Sequence, residues 1–347
     1  MRIGMPINYS GGFAETVDEL ADFEAAGLDI VSVAEAYSFD AVSQLGFIAA
    51  KTSRMTIASG IFQLYTRTPT LTAMTAAGLD FVSGGRFALG LGASGPQVIE
   101  GFHGVPYDAP LARTREIVDI CRMVWRREPV IYNGKHYQIP LPPDQGSGLG
   151  KPLKLINHPV RANIPVILAA IGPRNVALAA EIAEAWQPIF FHPEKAAAAW
   201  GDSLAEGLAK RDPSLGPLDI MASVPFAITD YPEAIHDLYR GQLALYIGGM
   251  GARGQNFYTR LVTGYGYGEA AKVVQDLYLS GRKEEAAAEV PADLVRDTSL
   301  VGPLDYVRER VAAFAKAGVT TLHVTALAPS HTDRLSQIEQ LRSVMEP

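Results

Sequence analysis

Two glycine-rich stretches hold the most suggestive spacing in this chain. Phe87–Gln97 reads FALGLGASGPQ and contains Gly90-Leu-Gly92-Ala-Ser-Gly95, formally G-x-G-x-x-G. A dinucleotide fingerprint would leave a first strand, open a helix directly and meet an acidic residue about twenty positions later. Here Pro96 and PQVIEGFHG follow, the next helical pattern starts near Leu111, and other strand–helix units come before the motif. The Rossmann reading therefore fails on context. The second stretch, Ile171-Gly172-Pro173-Arg174-Asn175, precedes strong helix material from Val176. Free N–H groups at a helix start, together with Arg174, could hold an anion such as a phosphate. Glycine lets a flat ligand or a phosphate approach the main chain. Either group alone reads as an ordinary tight turn; two on neighbouring elements point to a bound cofactor.

The elements that must position these groups are short β-branched runs alternating with amphipathic stretches. Strand candidates are Arg2–Ile7, Asp29–Ala34, Met55–Ile61, Arg86–Gly92, Ile164–Ala170, Trp186–Phe191, Asp219–Ile228 and Thr320–Ala326. Most are continuous apolar runs, as parallel strands covered on both faces require. Between them, Ile117, Ile120, Cys121 and Val124 repeat at helical spacing, and Phe13, Val17, Leu20 and Ala21 do so in the first helix. Gly27 and Gly318 stand where a left-handed residue closes a helix before a strand. Thr68-Pro69 has the form of an N-cap followed by proline at the first helical position. Repeated βα units favour an α/β fold of the (β/α)8 TIM-barrel type, with insertions before strands five and eight, Arg127 to Asn163 and Tyr231 to Lys316. No linker divides the chain, so residues 1–347 read as one domain.

Composition removes several function classes. The chain of 347 residues carries a formal charge of −7 without a dense Lys/Arg block, which argues against nucleic acid and anionic membrane as partners. The most basic segment, KPLKLINHPVRAN, reads as a solvated connection. No run approaches a membrane span or a signal peptide. The single cysteine, Cys121, lies in an apolar stripe and reads as core; a cytoplasmic location fits.

In a barrel, chemistry gathers where the strands end. Those positions read Asn8-Tyr9, Glu35-Ala36-Tyr37, Gly60-Ile61-Phe62-Gln63, Gly92-Ala93-Ser94-Gly95, Ile171 to Asn175, and His192. None is a lysine, which removes Schiff-base chemistry, and no H-x-H or carboxylate–histidine cluster offers a metal site. Glu35 closes a buried strand, where an unpaired carboxylate is costly, so it should have a hydrogen-bonding task. Asp40 reads as a helix cap. His103 and His192 are candidates for proton transfer.

At these residues the chain resembles the luciferase-like monooxygenase superfamily, specifically its actinobacterial coenzyme F420-dependent oxidoreductases. The resemblance runs over essentially the whole chain. It rests on AEAYSFDA, on RTPTLTAMTAAGLDFVSGGRFALGLGASGPQVIEGFHG, on PLARTREIVDI and LGKPLKL, and on IGPRNVALAAEIAEAWQPIFF. It implies a TIM barrel with the deazaflavin F420 across the strand ends. The strand-three end, Gly60-Ile61, would form a bulge with a cis non-proline peptide against the ring. Ala93-Ser94-Gly95 would border ring and side chain, and Gly172 to Asn175 would bind the phosphate. Glu35 and Gln63 join the implied cofactor contacts, while Tyr37, His103 and His192 are the candidates for the substrate pocket. A homodimer is also implied.

Members of the family that oxidise a sugar phosphate carry an Asp-His pair after strand two and a Glu after strand four. This chain has Glu35-Ala36 and Gly95 there, so that chemistry is not expected. The leading expectation is an F420-dependent oxidoreductase moving hydride between deazaflavin C5 and a small organic substrate. The alternatives are an FMN-dependent monooxygenase of the same fold and a non-catalytic F420 carrier or sensor.

Overall fold

The protein is described by a computed structural model covering residues 1–7, 12–251, 253–254 and 256–345. Asn8-Tyr9, read above as the end of the first strand, lies outside the described residues. Eight parallel strands form the barrel: β1 (Arg2–Pro6), β2 (Ile30–Val33), β3 (Thr56–Ser59), β4 (Phe87–Gly92), β5 (Val166–Ala169), β6 (Ala185–Gln187), β7 (Asp219–Ile228) and β8 (Thr321–Ala326). They pair in chain order, β6 pairs with β7, and β8 returns to β1, which closes the sheet. All eight expected strands are present, and closure pairs each barrel strand on both sides.

Local signals act as the residue types require. Gly27 (φ +100°) and Gly318 (φ +91°) adopt the left-handed conformation, and the N–H groups of Leu28 and Val319 reach back to Phe23 and Phe314. This is the Schellman closure that only glycine makes without a Cβ penalty. Thr68 Oγ1 accepts from the Leu71 N–H, and Asp40 accepts from the N–H groups of Val42 and Ser43. The first helical region differs from expectation. It breaks at Glu19 into Phe13–Asp18 and Leu20–Ala25, and its buried stripe is Val17, Leu20 and Phe23 rather than Ala21.

Both insertions fall where expected. The first carries a small hairpin, Tyr132–Asn133 against Gln138–Ile139, whose turn is held by the Glu116 carboxylate accepting from three successive N–H groups, Lys135 to Tyr137. Within the basic segment Arg161 is not merely solvated, since it pairs with the fully buried Asp80. The second insertion is helical and adds one unanticipated strand, Leu300–Gly302, parallel to β7. Among the described residues no helix is long and apolar enough to cross a membrane.

The barrel interior changes character along its axis. Near the strand starts, Ile30, Ala58, Ala88, Ile167, Ala185 and Met221 make a closed apolar layer. Above them lie Gly4, Ser32, Gly90 and His323, still buried. Nearer the strand ends Gln187, Ser223 and Pro225 are half-buried, and Ala169 and Thr325 are exposed. Small residues and rising exposure make this end an open well.

Candidate functional site at the strand ends

The well's most irregular wall is the junction of β3 and β4. Ala58 pairs with Ala88, but Phe62 pairs with Leu91, so β3 carries one extra residue and forms a bulge. The Gly60–Ile61 peptide in that bulge is cis. Ser59 Oγ replaces the interrupted ladder: it donates to the Gly90 carbonyl at 2.9 Å and accepts from the Gly90 N–H at 2.8 Å. A Cβ on Gly90 would lie 1.8 Å from the Ser59 carbonyl oxygen, and one on Gly92 would lie 2.8 Å from Ile61 Cδ1. The first glycine of the G-x-G-x-x-G pattern is thus demanded by the bulge itself, whereas at Gly92 the Ile61 side chain could swing aside. At Gly90 this replaces the expectation that the glycine group serves ligand approach. At Gly95 a Cβ would meet only the end of the Gln97 side chain, Oε1 at 3.3 Å.

Gln63 follows the bulge and is 2% exposed. Its Nε2 donates to the carbonyls of Glu35 (3.3 Å) and Ala36 (3.5 Å), while its Oε1 has no partner among the described residues. Because both contacts are carbonyls, the amide nitrogen must face them and the oxygen must face away. A buried acceptor without a donor is costly, and a ligand N–H would satisfy it. At the end of β4, Ala93 and Gly95 are half-buried and Ser94 is exposed with φ +58°. A non-glycine residue in the left-handed region is strained and is held there by its surroundings.

The turn after β5 begins a helix, Pro173–Ile182, with Gly172 as its N-cap residue. It offers fewer main-chain donors than expected. Pro173 has no N–H, and the N–H groups of Asn175 and Val176 already bond the Gly172 carbonyl at 2.9 and 3.0 Å. The Arg174 N–H and guanidinium carry the anion-binding capacity that remains. Arg174 is exposed and has no ion-pair partner among the described residues.

Other expected site residues are placed differently. Glu35 is spent within the protein: its carboxylate meets Arg67 in a two-pronged pair at 2.5 and 2.8 Å and accepts from the Ala41 N–H at 2.9 Å. Its contribution is to anchor the strand-two loop, which corrects its assignment as a cofactor contact. Tyr37 is 70% exposed on the rim, 6.3 Å from the Phe102 ring, which in turn meets His103 edge-on at 5.1 Å. His192 does not line the well. It is 2% exposed, with Nδ1 3.1 Å from Glu194 and Nε2 3.9 Å from Asp297, and its ring faces Tyr265 at 5.5 Å. Burial pushes its pKa below the ordinary value, against the pull of the Glu194 carboxylate. Glu194 also pairs with Arg310 on the helix Leu304–Lys316, so His192 belongs to a joint between the β6 exit and the outer helices.

The sequence reading missed the polar residues inside the barrel. His323 Nε2 lies 2.9 Å from Ser32 Oγ, and complete burial pushes its pKa down to about 4. Gln187 Nε2 donates to Ser223 Oγ at 3.3 Å. Their signal was available as alternation along strands: Ser223 in β7 and His323 with Thr325 in β8 share the inward parity of Met221 and Thr321.

The second insertion roofs this end. Phe257 lies 3.8 Å from where a Gly172 Cβ would stand, and the Tyr258 ring is 6.1 Å from Phe190 at the β6 exit. Among the described residues no group of His, Cys, Asp or Glu could hold a metal ion. The arrangement suits a flat organic ligand on the bulge, with an acceptor at Gln63 and an anion at Arg174.

A closed parallel barrel with its ligand-facing groups on the loops after the strands is a (β/α)8 barrel of the enzyme-bearing kind. The chain belongs to the luciferase-like monooxygenase family, whose model matches residues 1–321. It is 45% identical over 334 residues to a Mycobacterium tuberculosis protein provisionally named a coenzyme F420-dependent oxidoreductase, covering 94% of this chain and 95% of that one. Among solved structures it is similar to the coenzyme F420-dependent tetrahydromethanopterin reductase of Methanopyrus kandleri, with a TM-score of 0.79, 21% identity, and 98% and 97% of the two chains covered. It is also similar to an F420-dependent secondary alcohol dehydrogenase in complex with an F420–acetone adduct, with a TM-score of 0.75, 16% identity, and 100% and 99% covered. At these identities the two structures speak for the fold.

Proposed function

We propose that the protein is a coenzyme F420-dependent oxidoreductase that moves hydride between the deazaflavin C5 and a small organic substrate. The observation that carries the reading is the coincidence of a full-length relative named for F420 with a site that carries unmet needs matching such a ligand. Gly60, Ile61 and Gln63 would back the ring, with Gln63 Oε1 accepting from a ring N–H. Ala93, Ser94 and Gly95 would border it, and Gly172, Pro173, Arg174 and Asn175 would hold the phosphate. When bound, the deazaflavin supplies a two-electron hydride donor or acceptor at C5. The chain's own task is to orient the reacting pair and exclude water.

Parallel fluorescence titrations with F420 and FMN test the reading. Tight F420 binding supports it; micromolar FMN binding without F420 binding moves the protein to the monooxygenase class. Binding of F420 with no turnover of any acceptor would make it a carrier.

The same reading takes residues 1–347 as one cytoplasmic domain that pairs as a homodimer. Supporting the pairing, the helix Pro69–Val82 buries a mostly apolar inner face and exposes Leu71, Met74, Phe81 and Val82 on its outer one. A surface helix apolar all round needs a cover. Light scattering on wild type and Phe81→Glu tests it, a monomeric wild type being the contrary result.

A further inference from the structure

The bulge facing the well is held from below by side chains that cross four neighbouring strands, β8, β1, β2 and β3. The span starts at His323 on β8. Its ring passes over β1, where a Cβ on Gly4 would come within 2.8 Å of His323 Cδ2, and its Nε2 ends 2.9 Å from Ser32 Oγ on β2. Ser32 in turn lies against the bulge. A Cβ on Gly60 would come within 2.8 Å of Ser32 Oγ and 3.0 Å of Ser32 Cβ. Gly4 thus makes room for the imidazole, and Gly60 for the hydroxyl.

Both polar side chains are buried, His323 at 4% and Ser32 at 2% exposed. Burial pushes the His323 pKa down to about 4, so the ring is neutral near pH 7 and keeps one donor and one acceptor nitrogen. A buried hydrogen-bonded pair fixes one arrangement of its surroundings where an apolar pair could slide. The arrangement fixed here is that of β2 against the bulge, which meet at three levels. Ser32 lies under Gly60, the Val33 carbonyl accepts from the Gly60 N–H at 2.7 Å, and the Glu35 carbonyl accepts from Gln63 Nε2 at 3.3 Å. Of these, only the Ser32 contact is made by a side chain of β2, and His323 sets the direction of its hydroxyl.

We propose that His323 and Ser32 are positioning residues: acting through Gly60, they fix the height of the bulge, and with it Gln63 Oε1, at the ligand face. A substitution here loosens the fold of the bulge first and weakens binding through it. The binding half rests on the oxidoreductase reading; the support of the bulge does not.

Hydrogen exchange on the cofactor-free protein reads the bulge through two amides, Gly60 and Leu64, the latter bonded to the Gly92 carbonyl at 3.1 Å. Ile167 in β5, 4% exposed, reports opening of the barrel as a whole. Ser32→Ala and His323→Phe should each speed exchange at Gly60 and Leu64 about three- to tenfold beyond any change at Ile167, the worth of one hydrogen bond. Ser32→Ala removes a single oxygen and carries the test alone should His323→Phe not fold. His323→Gln, whose amide reaches about as far as Nε2, should restore most of the protection. In fluorescence titrations F420 affinity should fall about three- to tenfold in Ser32→Ala and in His323→Phe, with the double variant no weaker than the weaker single one. His323→Gln should bind nearly as wild type does. The proposal is overturned if the bulge amides change no more than Ile167, if Gln restores no more than Phe, if the two losses add, or if F420 binds all variants equally. A wild type that does not bind F420 while the bulge amides still respond overturns the oxidoreductase reading and leaves the support of the bulge standing.

Discussion

The lower half of the barrel interior and its rim use similar residues to opposite ends. In the lower half, Gly90 is glycine because the Ser59 carbonyl occupies the place of a side chain, and His323 hydrogen-bonds to Ser32. Each constraint there is answered by another part of the protein. At the rim, a Cβ on Gly95 would meet only the end of the flexible Gln97 side chain, and among the described residues Gln63 Oε1 has no hydrogen-bond partner and Arg174 no ion-pair partner. On the proposed reading these groups meet the cofactor. Substitutions in the lower half should therefore act on folding, and those at the rim on binding.

The largest effect is expected at Gly90. Gly90→Ala forces a Cβ into main chain that cannot swing aside, and should cost about 3 kcal/mol or more in chemical denaturation. A cost below about 1 kcal/mol would break the comparison at its firmest point.

His323 should make stability sensitive to acid. Its folded pKa of about 4 lies below the unfolded value of about 6.5, so the unfolded chain binds the extra proton first. Stability then rises with pH across that window and is lost as pH falls through it, by up to about 3 kcal/mol. His192 and His236, also lowered by burial, push the same way. His323→Gln should flatten the curve relative to wild type between pH 6.5 and 4, measured as denaturation midpoints. An unchanged slope would remove His323 as its source.

At the rim, Arg174→Ala should weaken F420 binding roughly ten- to a hundredfold, since a hydrogen bond to a charged group is worth roughly 1.5–3 kcal/mol. Its melting temperature should not move. The loss should shrink in high salt because the side chain is exposed. Equal weakening of intact F420 and of a ring fragment without phosphate would show that Arg174 is not the phosphate contact.

The smallest effect belongs to Gly95→Val, about tenfold in F420 affinity, with stability within about 0.5 kcal/mol of wild type. Its backbone, φ −121° and ψ 155°, is extended and accepts any residue. A drop in stability comparable to that of Gly90→Ala would erase the distinction between the two glycines.

Gly90 and Gly95 also show where sequence reading stops. Both belong to one pattern in one eleven-residue stretch, yet opposite neighbours explain them. Glu35 was legible as a carboxylate needing a partner, but Arg67 becomes that partner only when the β2 and β3 loops meet. His192 was expected directly at the end of strand six, but that strand stops at Gln187, and His192 lies beyond it against Glu194 and Asp297.

By itself the sequence determined the eight strands, the Gly27 and Gly318 helix closures, the Thr68 and Asp40 caps and the positions of both insertions. These depend on side-chain period and on backbone preferences within a few residues, which a linear string records. Only the tertiary structure decided which glycines are pressed by main chain and which are not, and which polar groups are satisfied. It also decided that Phe257 and Tyr258 come to lie over strand ends more than sixty residues earlier in the chain. The physical reason is the same each time: packing and hydrogen-bond satisfaction are properties of neighbours in space, and barrel closure chooses those neighbours.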